Sequence, residues 1–441
     1  MKNFGIRLKI DQRLKKSFWK IKLMDKTIVS VLLFVFALSF GQTNNSAFNG
    51  LYSQIKEKNF FKAREIFEGE RKDLPVEYQY FTEAVLDNAF NKPEESNQKI
   101  KQLEKVKKIL PDSLMLKIWY IKEDNYMKQY DYAEAKNAVE IVLKQYDHLL
   151  TEDKRNDLRN NLKIWTALKD EPRQKVIING NTRLKMEKDV ANLKNLKIST
   201  GEETTNFIFD TGANISTISR SAAQRLKMKM IPAGIDVDAI TGISVKADLT
   251  VCKKLMLGNI TMENVVFLVF EDIALSFPQI HYQINGILGF PVIEALKEVQ
   301  LTQDDYFMVP DKETKIKTPS NMAIDGLSPL IFIDGKHFTF DTGADQTMLY
   351  APFYLENKKD IDKQYQVVKI GMGGAGGKAE YDGFKINHTF NIFGKQISLK
   401  GVNVLKNKIN KETVYGNIGQ DVIRQFNKMT LNFDQMFIKF D

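Results

Sequence analysis

The sequence predicts a multidomain chain, with an all-α, helical repeat-like region at the N-terminus followed by an all-β region built as two related lobes. Three observations carry that prediction. Apolar positions recur at helical spacing between residues 44 and 170, short alternating runs broken by glycine and asparagine continue from there to the C-terminus, and one short motif occurs twice in that second region. At 441 residues, with 43% hydrophobic and 27% charged side chains, the chain has material for two or three cored domains and not the composition of a disordered tract.

The first element, residues 1–41, reads as a targeting segment. Residues 1–26 hold nine basic and two acidic side chains, and the uncharged run Thr27–Phe40 ends at Gly41. A basic start, a short apolar stretch and small residues at Ser39 and Gly41 are the pattern of an export signal cleaved before Gln42. An uncleaved anchor is the rival, but the apolar run is shorter than the roughly 20 residues a membrane span needs. Membrane contact is therefore expected only through this segment, if it stays attached, and the chain is expected in the periplasm or outside the cell. The same segment contributes +7 of the formal net charge of +9. The remainder is close to neutral and has no basic field to attract a phosphate backbone, so no nucleic-acid partner is expected.

Residues 42–170 are the helical domain. Glu57–Ala63, Phe90–Ser96 and Lys128–Ala135 resemble one another at roughly the 34-residue interval of tetratricopeptide repeats, with Pro75 and Pro111 placed as terminators of helix pairs. Either a degenerate repeat array or an irregular bundle fits the pattern. An array would present a concave surface to a protein partner. Asp170-Glu-Pro-Arg-Gln174 reads as a linker, and Pro310–Ser320 divides the β region into halves at 176–310 and 320–441.

The two halves repeat each other. Asn206-Phe-Ile-Phe-Asp-Thr-Gly-Ala213 is matched by Phe338-Thr-Phe-Asp-Thr-Gly-Ala344, placing Asp210 and Asp341 131 residues apart. Asn285-Gly-Ile-Leu-Gly289 is matched by Tyr415-Gly-Asn-Ile-Gly419, with the final glycines 130 apart. A lone Asp-Thr-Gly occurs by chance in about one chain in ten of this length. Two copies in the same order, each after an apolar strand and each trailed by a glycine motif, indicate duplication of a whole fold unit.

Asp341-Thr-Gly-Ala-Asp-Gln-Thr-Met-Leu349 closely resembles the active-site segment of retroviral proteases, and Gly419–Phe433 resembles their C-terminal helix and interface strand. Residues 176–441 are thereby similar to the retropepsin-like aspartic proteases, with both halves in one chain as in pepsin-like enzymes. The resemblance implies a two-lobed β protease fold, a peptide or protein substrate, and catalysis by Asp210 and Asp341 without metal or organic cofactor. Two close carboxyls cannot both ionise, so they share a proton and supply both the base and the acid that peptide hydrolysis needs. Thr211 and Thr342 would interlock between the lobes, and Gly212, Gly343, Gly289 and Gly419 would let backbone pack against the aspartate loops. Asp345 would bind substrate main chain, with neutral Asn214 as its counterpart. Flap hairpins are expected at Ala239–Ser244 and Gly371–Gly377, with tips at Gly242 and Gly374. Phe290 and Gln420 stand where retroviral proteases carry an arginine, so the ion pair that supports Asp345 in that family is expected to be missing. A duplicated barrel that binds peptides without cutting them, and homodimeric sites in place of an intramolecular one, are the competing readings.

Other chemistries lack their residues. Gly371-Met-Gly-Gly-Ala-Gly376 has the spacing of a dinucleotide fingerprint, but the next residues, Lys378–Ile386, read as turn and strand and not as the helix that motif must open. The four histidines, His148, His281, His337 and His388, have no metal-ligand spacing. No Gly-x-Ser-x-Gly elbow is present, and the sole thiol, Cys252, lies in an alternating strand with no base beside it.

Overall fold

The computed structural model describes residues 47–441 apart from 107–109, 239–243, 318, 375–376 and 410–411. The expected export segment and the Gly242 hairpin tip lie outside those residues. A helical region over 47–168 precedes a mostly β region of several sheets. Among the described residues, no helix is long and apolar enough to cross a membrane.

Helix α1 covers 47–56, and after it come α2 (Phe60–Glu70), α3 (Val76–Ala89), α4 (Pro93–Leu103), α5 (Asp112–Lys128), α6 (Tyr132–Gln145) and α7 (Glu152–Leu168). Capping chemistry sets several of their starts: Asn59, Asp131 and Thr151 each accept a hydrogen bond from the N–H three residues on. Pro75 and Pro111 lie in the junctions after α2 and α4, where terminators of helix pairs are expected, and each stands as the N-cap residue of the helix that follows. Between α3, α4 and α5, Ser96 donates to the Ala84 carbonyl at 2.7 Å and Asn125 donates to Ser96 at 2.9 Å.

The β region repeats one topology. In the first half, Glu203–Phe209 runs parallel to Gly286–Leu288, which is antiparallel to Ser216–Ser219, itself parallel to Ile260–Phe270. In the second, Lys336–Phe340 runs parallel to Gly416–Ile418, antiparallel in turn to Met348–Leu349, itself parallel to Lys395–Leu405. Each half also extends a long hairpin, Lys229–Asp238 with Ser244–Leu257 and Val368–Gly374 with Gly377–Ile392.

The halves join through a five-stranded sheet whose central pair is Glu298–Thr302 against Lys428–Asn432. Gln300 faces Thr430, its own counterpart at the repeat offset, and Val299 faces Leu431. Self-complementary pairing of this kind is what a two-fold axis requires, so the two lobes meet around a pseudo-dyad. Phe209 and Phe307 pack edge-on at 5.4 Å, as do Phe290 and Phe433 at 5.7 Å, which places aromatic weight on either side of the seam.

The helical region packs directly on the β region. Phe61 stacks on Phe332 at 4.8 Å, the Tyr130 hydroxyl donates to the Pro291 carbonyl at 2.9 Å, and Asn91 donates to Glu294 and to the Phe433 carbonyl. His337 is buried on its strand, with Nε2 3.0 Å from the Glu57 carbonyl. Helix α7 lies against Lys229–Asp238, where the Asp236 N–H donates to Asn160 at 2.8 Å. Apolar residues of α1 to α5 share one continuous core with both lobes. The helices are thus built into the β body and do not hang from a linker.

Candidate active site

Both aspartate loops begin where an apolar strand ends. Phe209 and Phe340 are buried, and the N–H groups of Asp210 and Asp341 donate to the Leu288 and Ile418 carbonyls of the neighbouring parallel strands at 3.1 and 3.0 Å. Each loop then turns sharply, with the Gly212 and Gly343 N–H groups donating at 2.8 Å to Oδ1 of Asp210 and Asp341 respectively.

The threonines cross between lobes. The Thr211 N–H donates to Thr342 Oγ1 and the Thr342 N–H to Thr211 Oγ1, both at 3.0 Å. Each hydroxyl in turn donates across the seam, Thr211 to the Phe340 carbonyl and Thr342 to that of Phe209, both at 2.9 Å. The N–H and hydroxyl of each residue are satisfied in a fully buried position, which fixes the loop separation without relying on flexible side chains.

That separation brings Asp210 and Asp341 together. A Cβ on Gly343 would lie 2.5 Å from either carboxyl oxygen of Asp210, and one on Gly212 would lie 2.8 Å from either oxygen of Asp341. A side chain at either position would have to displace the opposite carboxyl, so glycine is what leaves both carboxyls in place. Gly289 and Gly419 are pressed against the same loops from behind, where a Cβ would stand 2.6 Å from the Ala213 carbonyl oxygen and 2.8 Å from that of Ala344. The Asp210 carboxyl is held well above the usual carboxylate range, first by desolvation, then by the charge of Asp341 and a hydrogen bond to it. The N–H groups of Gly212 and Ala213 oppose that shift.

The two halves of the site are not equivalent. Asn417 Nδ2 donates to Asp341 Oδ2 at 3.0 Å, while its Oδ1 accepts from the Thr339 hydroxyl at 2.8 Å. The matching residue beside Asp210 is Ile287, which offers no donor. The sequence already displayed this difference inside the two glycine motifs, but nothing in the strand pattern showed that position 417 faces an aspartate.

Asn214 and Asp345 also differ in their surroundings. Asn214 accepts from the Ser328 hydroxyl at 3.1 Å. Asp345 pairs with Arg424 Nη1 at 2.9 Å and accepts from Asn192 at 2.8 Å. The ion pair expected to be missing is therefore present. Position 420 lacks the arginine, but the helix Gln420–Ile423 carries the chain on to Arg424, whose Nη1 reaches back to the same carboxylate while its Nη2 donates to the Asp345 carbonyl at 3.1 Å. Gln420 instead donates to the Thr342 carbonyl at 2.8 Å.

Gly374 ends the strand Val368–Gly374 and faces Gly377 across the hairpin. Beside that hairpin a cavity of about 250 Å³ is lined by Leu330, Thr339, Tyr350, Met372 and Leu405, and Thr339 connects it through Asn417 to Asp341. Of the remaining sequence features, Gly371–Gly374 lies in a strand and opens no helix. Cys252 is buried, and burial pushes its thiol up to about 11, which removes it as a nucleophile near neutral pH. Among the described residues no cluster of histidine, cysteine and acidic side chains has a metal-binding arrangement.

No curated protein matches this chain. Residues 195–292, which run from the strand Lys194–Thr200 through Asp210 to just past the Gly289 motif, match a protein-family model described as aspartyl protease.

Proposed function

We propose that the chain is an aspartic endopeptidase with one intramolecular active site formed by Asp210 and Asp341. The observation that carries this reading is the convergence of two carboxyls from separate lobes, each held by a Gly N–H and kept close by the crossed threonines. The aspartyl protease match supports the chemistry for the first lobe, and the repeated strand topology extends the argument to the second.

The pair ionises as a unit, because one negative charge opposes the next. In the singly ionised state one carboxylate takes a proton from a water held between them, and the hydroxide so formed attacks the peptide carbonyl carbon. The neutral carboxyl gives its proton to the carbonyl oxygen, producing a neutral tetrahedral diol. Collapse breaks the C–N bond as one carboxyl protonates the leaving nitrogen and the other carboxylate takes the proton of a diol hydroxyl, so a carboxylic acid and an amine leave and the dyad keeps its single charge in the starting arrangement. Asn417 donates to Asp341 and so stabilises negative charge there, whereas Ile287 offers Asp210 no such donor. Asp341 is thus the base of the first step and Asp210 the acid.

The test is cleavage of a mixed peptide library by the chain beside Asp210→Asn and Asp341→Asn. Each substitution should abolish cleavage while leaving the unfolding transition intact. Activity retained by either variant would refute a single shared dyad and bring homodimeric sites forward. A parent that binds peptides but cleaves none at any pH would establish the non-catalytic reading.

A further inference from the structure

A second cavity, of about 350 Å³, lies where the helical region meets both lobes. Its protease-side rim is formed by Asn214 and Ile215, directly after the Asp210 loop, and by the turn Asp325–Leu327 of the other lobe. Asp325 also lines the smaller cavity beside the Val368–Gly374 hairpin, so the two spaces share a wall. The opposite rim is α5, whose Lys117, Tyr120, Ile121 and Asp124 recur at helical spacing and face inward together.

The charges in this cavity do not balance. Asp325 is paired with Lys58, and Asp124 with Lys128 at 2.9 Å. Glu123 accepts from Trp165 Nε1 at 2.9 Å and from Asn161 at 2.8 Å, and burial pushes its carboxyl up to about 7. Lys117 alone has no ion pair or hydrogen bond among the described residues. Burial pushes its ammonium below the usual lysine range, with the more distant charges of Asp325 and Asp124 only partly opposing. A half-buried ammonium with no counter-ion is costly in the empty cavity and strongly favourable opposite an anion.

We infer that this cavity is the far end of the peptide cleft and accepts a carboxylate of the substrate on Lys117. The inference rests on the protease reading for the direction of the cleft. The pseudo-dyad relates Asn214 to Asp345, so a peptide extended over the two aspartates leaves the cleft past one of them at each end. At the Asp345 end the charge is already neutralised by Arg424. At the Asn214 end the chain meets the cavity and its unpaired ammonium. The helical region therefore selects substrate by supplying the wall that reads charge. The carboxylate belongs either to an acidic side chain or to the peptide terminus.

Binding of fluorescent peptides to full-length Asp341→Asn protein tests this without requiring turnover. A glutamate-scanned set is compared with its glutamine equivalents, each with a free and an amidated C-terminus. One position, or the free terminus, should bind about tenfold more tightly as the carboxylate. Lys117→Met should erase that preference and Lys117→Arg should restore it, which separates a charge effect from damage to the fold. Equal binding of glutamate and glutamine peptides throughout, or a preference untouched by Lys117→Met, would overturn the inference. In parallel, the parent chain is assayed for cleavage of the same peptides. Selective binding with no cleavage would sink the protease reading and keep the carboxylate site, whereas cleavage without charge preference would do the reverse. Failure of every peptide to bind would overturn both.

Discussion

Replacing Asn417 by isoleucine, the residue its counterpart position carries as Ile287, removes the one amide that distinguishes the two aspartates. Asn417 is 5% exposed, and its Nδ2 donates to Asp341 Oδ2 at 3.0 Å in surroundings from which water is largely excluded. A hydrogen bond to an ionised acceptor contributes about 1.5–3 kcal/mol. At about 1.36 kcal/mol per pH unit, its loss raises the first ionisation of the dyad by roughly 1–2 units. Linkage fixes the sign: the donor favours the singly ionised state over the neutral one, so without it ionisation requires a higher pH. The acid limb of the kcat/KM profile, which reports the free enzyme, should move upward by that amount while the plateau changes less. Thr339 retains the Gly416 carbonyl at 3.2 Å as a partner, so the substitution leaves no orphaned hydroxyl. The profile would be measured on a fluorogenic peptide, with unfolding followed at each pH to exclude loss of protein. A uniform fall in rate with the limb unmoved would refute the electrostatic role and reduce Asn417 to packing.

Two further predictions concern the stability of buried groups. Thr342→Val deprives the Thr211 N–H of its acceptor and the Phe209 carbonyl of a donor, both in a position with no access to water. Urea unfolding should show a loss on the order of 2–4 kcal/mol, and an effect below about 1 kcal/mol would mean that the interlobe grip is not cooperative. Glu123 has its folded value pushed up to about 7 by burial from an ordinary 4.5. A raised acid costs nothing below its unfolded value and progressively more as pH rises from there toward and through the folded one. Glu123→Gln, which keeps an acceptor for Trp165 and Asn161, should therefore match the parent at about pH 4 and exceed it by on the order of 1–3 kcal/mol at about pH 8. A gain that is the same at both pH values would place the effect in packing instead.

The aspartate strands, the glycine motifs and the change from helical to alternating pattern were legible because each is written within a few consecutive residues. Asp210 and Asp341 stood out through repetition, and their neighbours Thr211, Gly212, Thr342 and Gly343 came with the motif. Arg424 carries no signal of its role in the sequence, because the family resemblance puts the donor at position 420, beside the glycine. A short helix moves the donor to a later residue without changing where the charge ends up. Pro75 and Pro111 mark the breaks between successive helix pairs, and the structure adds that each also caps the helix that follows it.

By itself, then, the sequence determined the fold class and displayed the repeated motif that carries the two carboxyls, because side-chain periodicity and short motifs report local backbone geometry directly. Tertiary structure decided everything that depends on reach between distant segments. The register of Gln300 on Thr430 sets the pseudo-dyad, and the crossed Thr211 and Thr342 hydrogen bonds set the carboxyl separation. The donor from Asn417 breaks the symmetry of the pair, and the seating of α5 against the Asp325 turn leaves Lys117 without a counter-ion among the described residues. These are side-chain contacts between residues far apart in the chain. Their energies depend on angstrom-scale placement and on exclusion of water, and neither is encoded in the spacing of residue types along a strand.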